Sequence, residues 1–166
     1  MRILGIDPGV ALTGFGIVEE YGSDFKYIAS GCIRTDKDLH STLRLMAIHD
    51  RVLELVTAHE PQAMSVEKIF FSKNVRTAFQ VGEARGVVII AAARCGIELF
   101  EYTPLQVKQA VAGYGKAEKA QVQKMVQLLL KLPSQPAVDD EADALAVALC
   151  HLQNRRWQEA VKGGRP

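Results

Sequence analysis

Residues 3–10, which read ILGIDPGV, decide how the chain begins to fold. The apolar run predicts a buried strand over residues 2–7. An acid at the end of such a strand either opens a turn or takes part in chemistry, and Asp, Pro and Gly are all turn formers. From this stretch alone, both interpretations of Asp7 are equally well supported.

The rest of the chain alternates between strand and helix patterns. The predicted strands and helices lie, in chain order, at 2–7, 13–21 and 25–35 (strands), 40–59 (helix), 63–70 (strand), 74–96 (helix), 97–102 (strand), around Val107 and at 117–130 (short helices), and 141–156 (helix). An antiparallel meander followed by crossover connections predicts an α/β fold: a mixed five-stranded sheet flanked by helices. We expect one domain over residues 1–155, with 156–166 as a frayed C-terminal tail.

The composition is that of a globular domain. The chain has 166 residues, of which 48% are hydrophobic and 23% charged. Its apolar runs are too short to span a bilayer and no signal-peptide core is present, so we expect a cytoplasmic protein without a membrane partner. Three widely separated cysteines suggest neither a disulfide framework nor a zinc site, and we expect them to be small buried hydrophobic residues.

The net charge of +1 conceals an uneven distribution. Residues 68–131 hold ten Lys or Arg and four Glu, whereas the rest of the chain holds ten basic and fifteen acidic residues. A basic middle third of this kind could face a polyanion. Solvated helix faces would explain the same composition equally well.

The most informative acids lie on segments that should be buried. Asp7 and Glu67 end apolar strands, although a turn at Asp7 and a surface pair with Lys68 would also explain them. Asp140 and Asp143 lie three residues apart on the last helix. A helix cap accounts for Asp140 but not for Asp143, whose face continues through apolar residues that should pack on the sheet. Unpaired buried carboxylates are costly, so these acids need a partner.

A divalent cation is the most economical partner. Oxygen ligands suit Mg²⁺, and the sequence offers no Cys or His cluster for zinc. Two such ions about 3.5–4 Å apart would clamp a phosphodiester, with one activating water and the other stabilising the leaving oxygen.

Four segments carry a resemblance to a known family. GIDPG at 5–9, VEKIFF at 66–71, QVKQAVAGYGKAEKAQVQ at 106–123 and DDEADALAVALCH at 139–151 resemble, in order and spacing, the RuvC family of Holliday junction resolvases. The resemblance implies a ribonuclease-H-like fold and a homodimer that nicks two strands of a four-way junction. It also implies two Mg²⁺ per subunit, with Mn²⁺ as a substitute, and suggests a branch-migration motor complex as a partner.

The resemblance also implies roles for individual residues. The family's metal-binding and catalytic acids fall on Asp7, Glu67, Asp140 and Asp143. Its DNA-contacting aromatic falls on Phe70, with Phe71 as a second candidate beside it, and its two functional lysines fall on Lys108 and Lys119. Lys116, in the same basic Gly-bracketed turn, joins these DNA-binding candidates because it could neutralise a phosphate. Core packing of the aromatics and solvation of the lysines are the alternatives.

Two other functions remain to be separated from this one. An actin-like nucleotide phosphotransferase also begins with an Asp-x-Gly strand end, but such enzymes close two domains around the nucleotide and need about twice this length. A catalytically silent junction-binding protein would be expected to have lost some of its carboxylates. Gly82 and Gly86, four residues apart on the long helix, permit close approach of another backbone, either within the chain or from a second subunit.

Overall fold

The computed structural model describes residues 1–68 and 75–163. Its elements are β1 (Arg2–Asp7), β2 (Leu12–Tyr21), β3 (Asp24–Arg34), α1 (Ser41–His59), β4 (Ala63–Glu67), α2 (Val75–Arg94), β5 (Glu98–Tyr102), α3 (Pro104–Ala112), α4 (Lys119–Leu129) and α5 (Asp139–Gly163). The five strands form one sheet in the order β3-β2-β1-β4-β5. Strands β1, β2 and β3 pair antiparallel, whereas β4 and β5 run parallel to β1. The predicted mixed sheet is therefore confirmed.

Helices cover both faces of the sheet. On one face, α1 and α2 pack on β1 and β4 through apolar residues such as Ile48, Val52 and Val88. On the other face, α3, α4 and α5 form a second core, in which α5 contributes most of the fully buried side chains. The carboxyl end of β1 is close to the start of α5, because Gly14, the register partner of Asp7, lies against the backbone of Asp140.

Three glycines allow α5 to lie unusually close to the sheet. A Cβ atom on Gly5 would collide with the backbone oxygen of Ala144, and one on Gly14 with the backbone oxygen of Asp140. A Cβ atom on Gly16 would lie 2.7 Å from the side chain of Leu145. The sequence analysis did not use these glycines, although an isolated Gly inside a strand is a signal of close backbone approach.

The C-terminal helix extends further than the sequence predicts. The last helix was predicted to end at residue 156, yet α5 continues to Gly163. Arg156 explains part of the difference, because its guanidinium donates hydrogen bonds to the β2–β3 turn and lies 4.2 Å from the centre of the Phe25 ring. It also bonds the carboxylate of Glu20 at 2.6 Å. These contacts anchor the helix about one turn beyond Leu152, its last core residue.

The structure corrects the expectation that all three cysteines are buried, and for the part of the chain that it describes it excludes one of the two roles considered for Gly82 and Gly86. Only Cys150 is buried, whereas Cys32 and Cys95 are partly exposed. Among the described residues, a Cβ atom added to Gly82 or Gly86 would meet nothing within 4 Å, so these glycines do not serve close packing inside that part of the chain. No helix within residues 1–68 and 75–163 is long and apolar enough to cross a membrane.

Candidate active site

Asp7 is both the last residue of β1 and the start of a turn. Thr13 closes this turn, because its buried hydroxyl donates to the backbone oxygen of Gly9 at 2.7 Å and accepts from the backbone N–H of Gly9 at 3.3 Å. Asp7 pairs in register with Gly14 on β2, the residue against which the start of α5 rests. The strand end therefore holds the Asp7 carboxylate beside the first turn of α5.

Three of the four predicted acids line one pocket. Asp7, Glu67 and Asp143 surround a pocket of about 210 Å³ together with Lys108 and Lys119. Its walls also include apolar residues of α3, α4 and α5. Three of the predicted acids and two of the predicted lysines are thus brought together from two strands and three helices.

Asp140 lies beside this pocket rather than on its wall. It is half-buried one helical turn before Asp143, and its negative charge contributes to the raised pKa of Asp7. Lys116 is exposed in the loop between α3 and α4 and is not among the described residues that line the pocket. Phe70 and Phe71 lie outside the described residues.

Burial and mutual repulsion raise the pKa values of Asp7 and Glu67 above those of ordinary carboxyl groups. Burial, followed by the charges of Asp143, Asp140 and Glu67, raises the pKa of Asp7 to about 7. Burial also raises the pKa of Glu67, with Asp143 adding to the effect and Lys108 and Lys119 opposing it. A concentration of negative charge in a poorly hydrated pocket is an environment that favours a bound cation.

Lys119 is the protein's own cation at this site. Its ammonium lies 3.0 Å from Oδ2 of Asp143 and 3.2 Å from Oδ2 of Asp139. Burial lowers the pKa of Lys119, but its bonds to these two acids outweigh that effect and leave the pKa above its ordinary value. Burial raises the pKa of Asp143 more than the bond with Lys119 lowers it. One lysine therefore neutralises only part of the charge in the pocket.

The donor set fits a hard divalent cation. In the part of the chain that the structure describes, no three Asp, Glu, His or Cys side chains form a ready-made metal cage. Mg²⁺ seldom uses such a cage, because it keeps several waters and binds through one or two carboxylates plus substrate phosphates. The pocket is open and is lined by the carboxylates of Asp7, Glu67 and Asp143, which offer oxygen ligands to a cation. This arrangement suits that mode of binding.

A layer of buried polar groups beneath the pocket was not found from the sequence. Ser65, two residues before Glu67, donates to the backbone oxygen of Val147 at 3.1 Å. Tyr102, the register partner of Glu67, has its hydroxyl 2.8 Å from Nδ1 of His151. These bonds connect β4 and β5 to α5 and so help to fix Glu67 relative to Asp143. Only the sheet register could have identified them, and the sequence does not supply it.

Comparison with known proteins shows which family the chain resembles. The profile of the family described as crossover junction endodeoxyribonuclease RuvC matches residues 3–151. A protein of that name from Pelotomaculum thermopropionicum is 53% identical over 98% of this chain and 99% of its own length, and one from Desulforamulus reducens is 52% identical over 99% of both.

A solved structure extends the agreement to three dimensions. Thermus thermophilus RuvC in complex with a Holliday junction substrate is 38% identical and matches with a TM-score of 0.91, over 95% of this chain and 96% of that one. This match confirms the predicted ribonuclease-H-like fold. From its sequence and its structure alike, the chain belongs to the RuvC family of crossover junction endodeoxyribonucleases.

Proposed function

We propose that this protein resolves four-way DNA junctions by hydrolysing phosphodiester bonds at the pocket between β1, β4 and α5. Membership of a family of crossover junction endodeoxyribonucleases gives the reaction class. The observation that carries the assignment to this pocket is the convergence of Asp7, Glu67 and Asp143 with two lysines. Asp140, beside them, completes the proposed catalytic set.

The four carboxylates are proposed to hold divalent metal, with Mg²⁺ as the ion and two ions per subunit. Bound there, such ions activate a water and stabilise the leaving oxygen of a phosphodiester. The chain's own contribution is to orient the ligands. Strands β1 and β4 hold Asp7 and Glu67 at their ends, while Gly5, Gly14 and Gly16 let α5 pack close to the sheet and so place Asp140 and Asp143. Mn²⁺ is expected to substitute, because it also prefers oxygen ligands.

The lysines are proposed to act on the phosphate. Lys108 and Lys119 line the same pocket as the acids, so either ammonium is placed to neutralise charge that develops on the scissile phosphate. The capping box of α3, in which Thr103 and Gln106 bond each other's backbone N–H groups, fixes the start of the helix that carries Lys108. Lys116, in the loop between α3 and α4, is proposed to contact DNA, as are Phe70 and Phe71.

We propose that the protein works as a homodimer. A four-way junction has approximate two-fold symmetry and needs two nicks, which a symmetric dimer supplies from one gene product. One side of α2 supports the choice of this helix as the interface. Phe79 is 72% exposed and Ile90 57%, and Gly82 and Gly86 lie between them on the same side of the helix. A flat stripe of two apolar side chains separated by glycines suits close approach of a second helix.

Two further proposals concern the cellular setting. A branch-migration motor is proposed as a partner that docks on the junction complex. The proposed place of action is the cytoplasm, because the similar proteins named above come from bacteria, whose DNA lies in the cytoplasm.

The direct test uses a synthetic four-way junction and a linear duplex of the same sequence. The proposal predicts Mg²⁺-dependent paired nicks in the junction, at symmetric positions, and little cutting of the duplex. Equal cutting of both substrates would identify a general nuclease. Tight junction binding without cutting in Mg²⁺ or Mn²⁺ would identify a silent junction-binding protein.

A further inference from the structure

A second open groove lies on the outer side of α4. It has a volume of about 450 Å³. Its lining combines small apolar residues with one aromatic, one amide and one ammonium side chain, and consists of Ala112, Tyr114, Ala117, Ala120, Gln121, Lys124 and Met125. Nothing in the proposed cleavage chemistry uses this groove.

The aromatic wall of the groove is presented to solvent by the backbone. Gly113 ends α3 in the left-handed conformation, with φ of 73°, and its backbone N–H donates to the backbone oxygen of Gln109. Tyr114 follows, is 59% exposed and lines the groove together with three alanines. A large exposed aromatic beside small apolar residues is typical of a binding surface rather than of a core.

The groove lies in a strongly positive environment. From Pro104 to Leu132 the chain has five lysines and one glutamate. Lys119 and Lys131 are paired with acids. Within the described parts of the chain, Lys116 and Lys124 form no ion pair, and Lys124 bonds only the neutral amide of Gln127, at 3.1 Å. Their charge remains available to an anionic partner.

The groove and the proposed active site share the first turns of α4, on opposite sides of that helix. Lys119 lines the catalytic pocket, whereas Ala120 and Gln121, the next two residues, line the groove. Lys124 lies five residues beyond Lys119, a rise of about 7.5 Å along the helix axis. Because five residues also turn the helix by about 140°, a strand held at the catalytic pocket reaches Lys124 by crossing the exposed start of α4 to its other side.

We propose that this groove binds the sugar–phosphate backbone of a junction strand as it leaves the cleavage site. A phosphate lies at Lys124 and the apolar face of a deoxyribose packs on the Tyr114 ring and the alanine floor, while Gln121 donates a further hydrogen bond. Such contacts read no base, so they position the strand without adding sequence preference. The inference rests on the proposed DNA-cleaving function, because DNA is the polyanion that the function supplies.

The test measures junction binding in EDTA, where no cutting competes, as a function of salt concentration. Lys124→Gln should reduce the magnitude of the slope of log affinity against log salt by about 0.9, the loss of one phosphate contact. Lys26→Gln is the matched control, because Lys26 is an exposed lysine on β3 that lines neither the groove nor the catalytic pocket, and its loss should leave the slope unchanged. Tyr114→Ser should weaken binding about fivefold, which corresponds to about 40 Å² of buried ring surface, whereas Tyr114→Phe should bind like the wild type.

Each outcome of this experiment decides the proposal. Wild-type slopes for Lys124→Gln, or full affinity for Tyr114→Ser, would overturn it. A change in oligomeric state of these variants, seen by light scattering, would assign the groove to a contact between copies of the chain and would also overturn it. Cutting by the wild type is measured separately in Mg²⁺. A wild type that binds junctions with the predicted slopes but never cuts would refute the nuclease function and leave the groove assignment standing.

Discussion

Replacing Asp7 with Asn should make the metal-free protein more stable, and the gain should grow with pH. The pKa of Asp7 is raised from 3.8 to about 7, chiefly by burial and then by the charges of Asp143, Asp140 and Glu67. The folded state therefore favours the protonated acid. The stability that this preference contributes is fully present below pH 3.8 and is lost as the pH rises through 7.

The size of the effect follows from the shift. A rise of about three pKa units corresponds to at most about 4 kcal/mol of unfavourable ionisation in the fold. About 1.5 kcal/mol of that penalty is already present at pH 5, where the unfolded chain is ionised, and about 2.5 kcal/mol more appears between pH 5 and pH 8. Asp7→Asn removes the ionisable group and should therefore gain stability over the wild type in that interval.

Urea unfolding of wild type and Asp7→Asn in EDTA at pH 5 and pH 8 measures the difference. The variant should gain at pH 8 relative to pH 5, and adding Mg²⁺ should stabilise the wild type but not the variant. A difference between the two proteins that stays constant from pH 5 to pH 8 would refute the reasoning. So would equal stabilisation of both proteins by Mg²⁺.

Three further changes test other parts of the account. Gly14→Ala places a methyl group against the backbone oxygen of Asp140, so it should cost about 1–3 kcal/mol in urea unfolding and lower the cutting rate of the folded protein. His151 is 4% exposed and has its pKa lowered to about 4, by burial and then by Arg155. The stability that comes from keeping His151 neutral is thus present above pH 6.5 and is lost as the pH falls through 4, by at most about 3 kcal/mol. The free energy of unfolding of His151→Gln, measured between pH 4 and pH 7, should not show that loss. Phe79→Ser combined with Ile90→Ser should leave a folded monomer by light scattering, and a variant that stays dimeric would place the subunit contact elsewhere.

Much of the fold follows from local patterns in the sequence. The apolar run before Asp7, the meander after it and the periodic helices predict the element order, because each pattern is strong within a few residues. The end of the last helix was not predictable in this way. Its final turns are held by Arg156 against the β2–β3 turn, a contact between residues more than 130 positions apart.

The site was partly predictable for a related physical reason. Acids at the ends of apolar strands and on a packed helix face stand out from the pattern of the sequence, so Asp7 and Asp143 could be found from the residues themselves. Which lysine meets which acid depends on the packing of α4 against α5. The pairing of Lys119 with Asp143 and Asp139 therefore needed the structure.

Cleavage by Asp143→Asn tests most directly whether the carboxylates carry the chemistry. Glu141→Gln is the matched control: it makes the same acid-to-amide change within one turn of α5, at a side chain that accepts a hydrogen bond from Ser30 outside the pocket. In Mg²⁺, with four-way junction as substrate, Asp143→Asn should be folded, should bind the junction and should cut slower by orders of magnitude, whereas Glu141→Gln should cut at the wild-type rate. A folded Asp143→Asn protein that cuts as fast as Glu141→Gln would contradict the account.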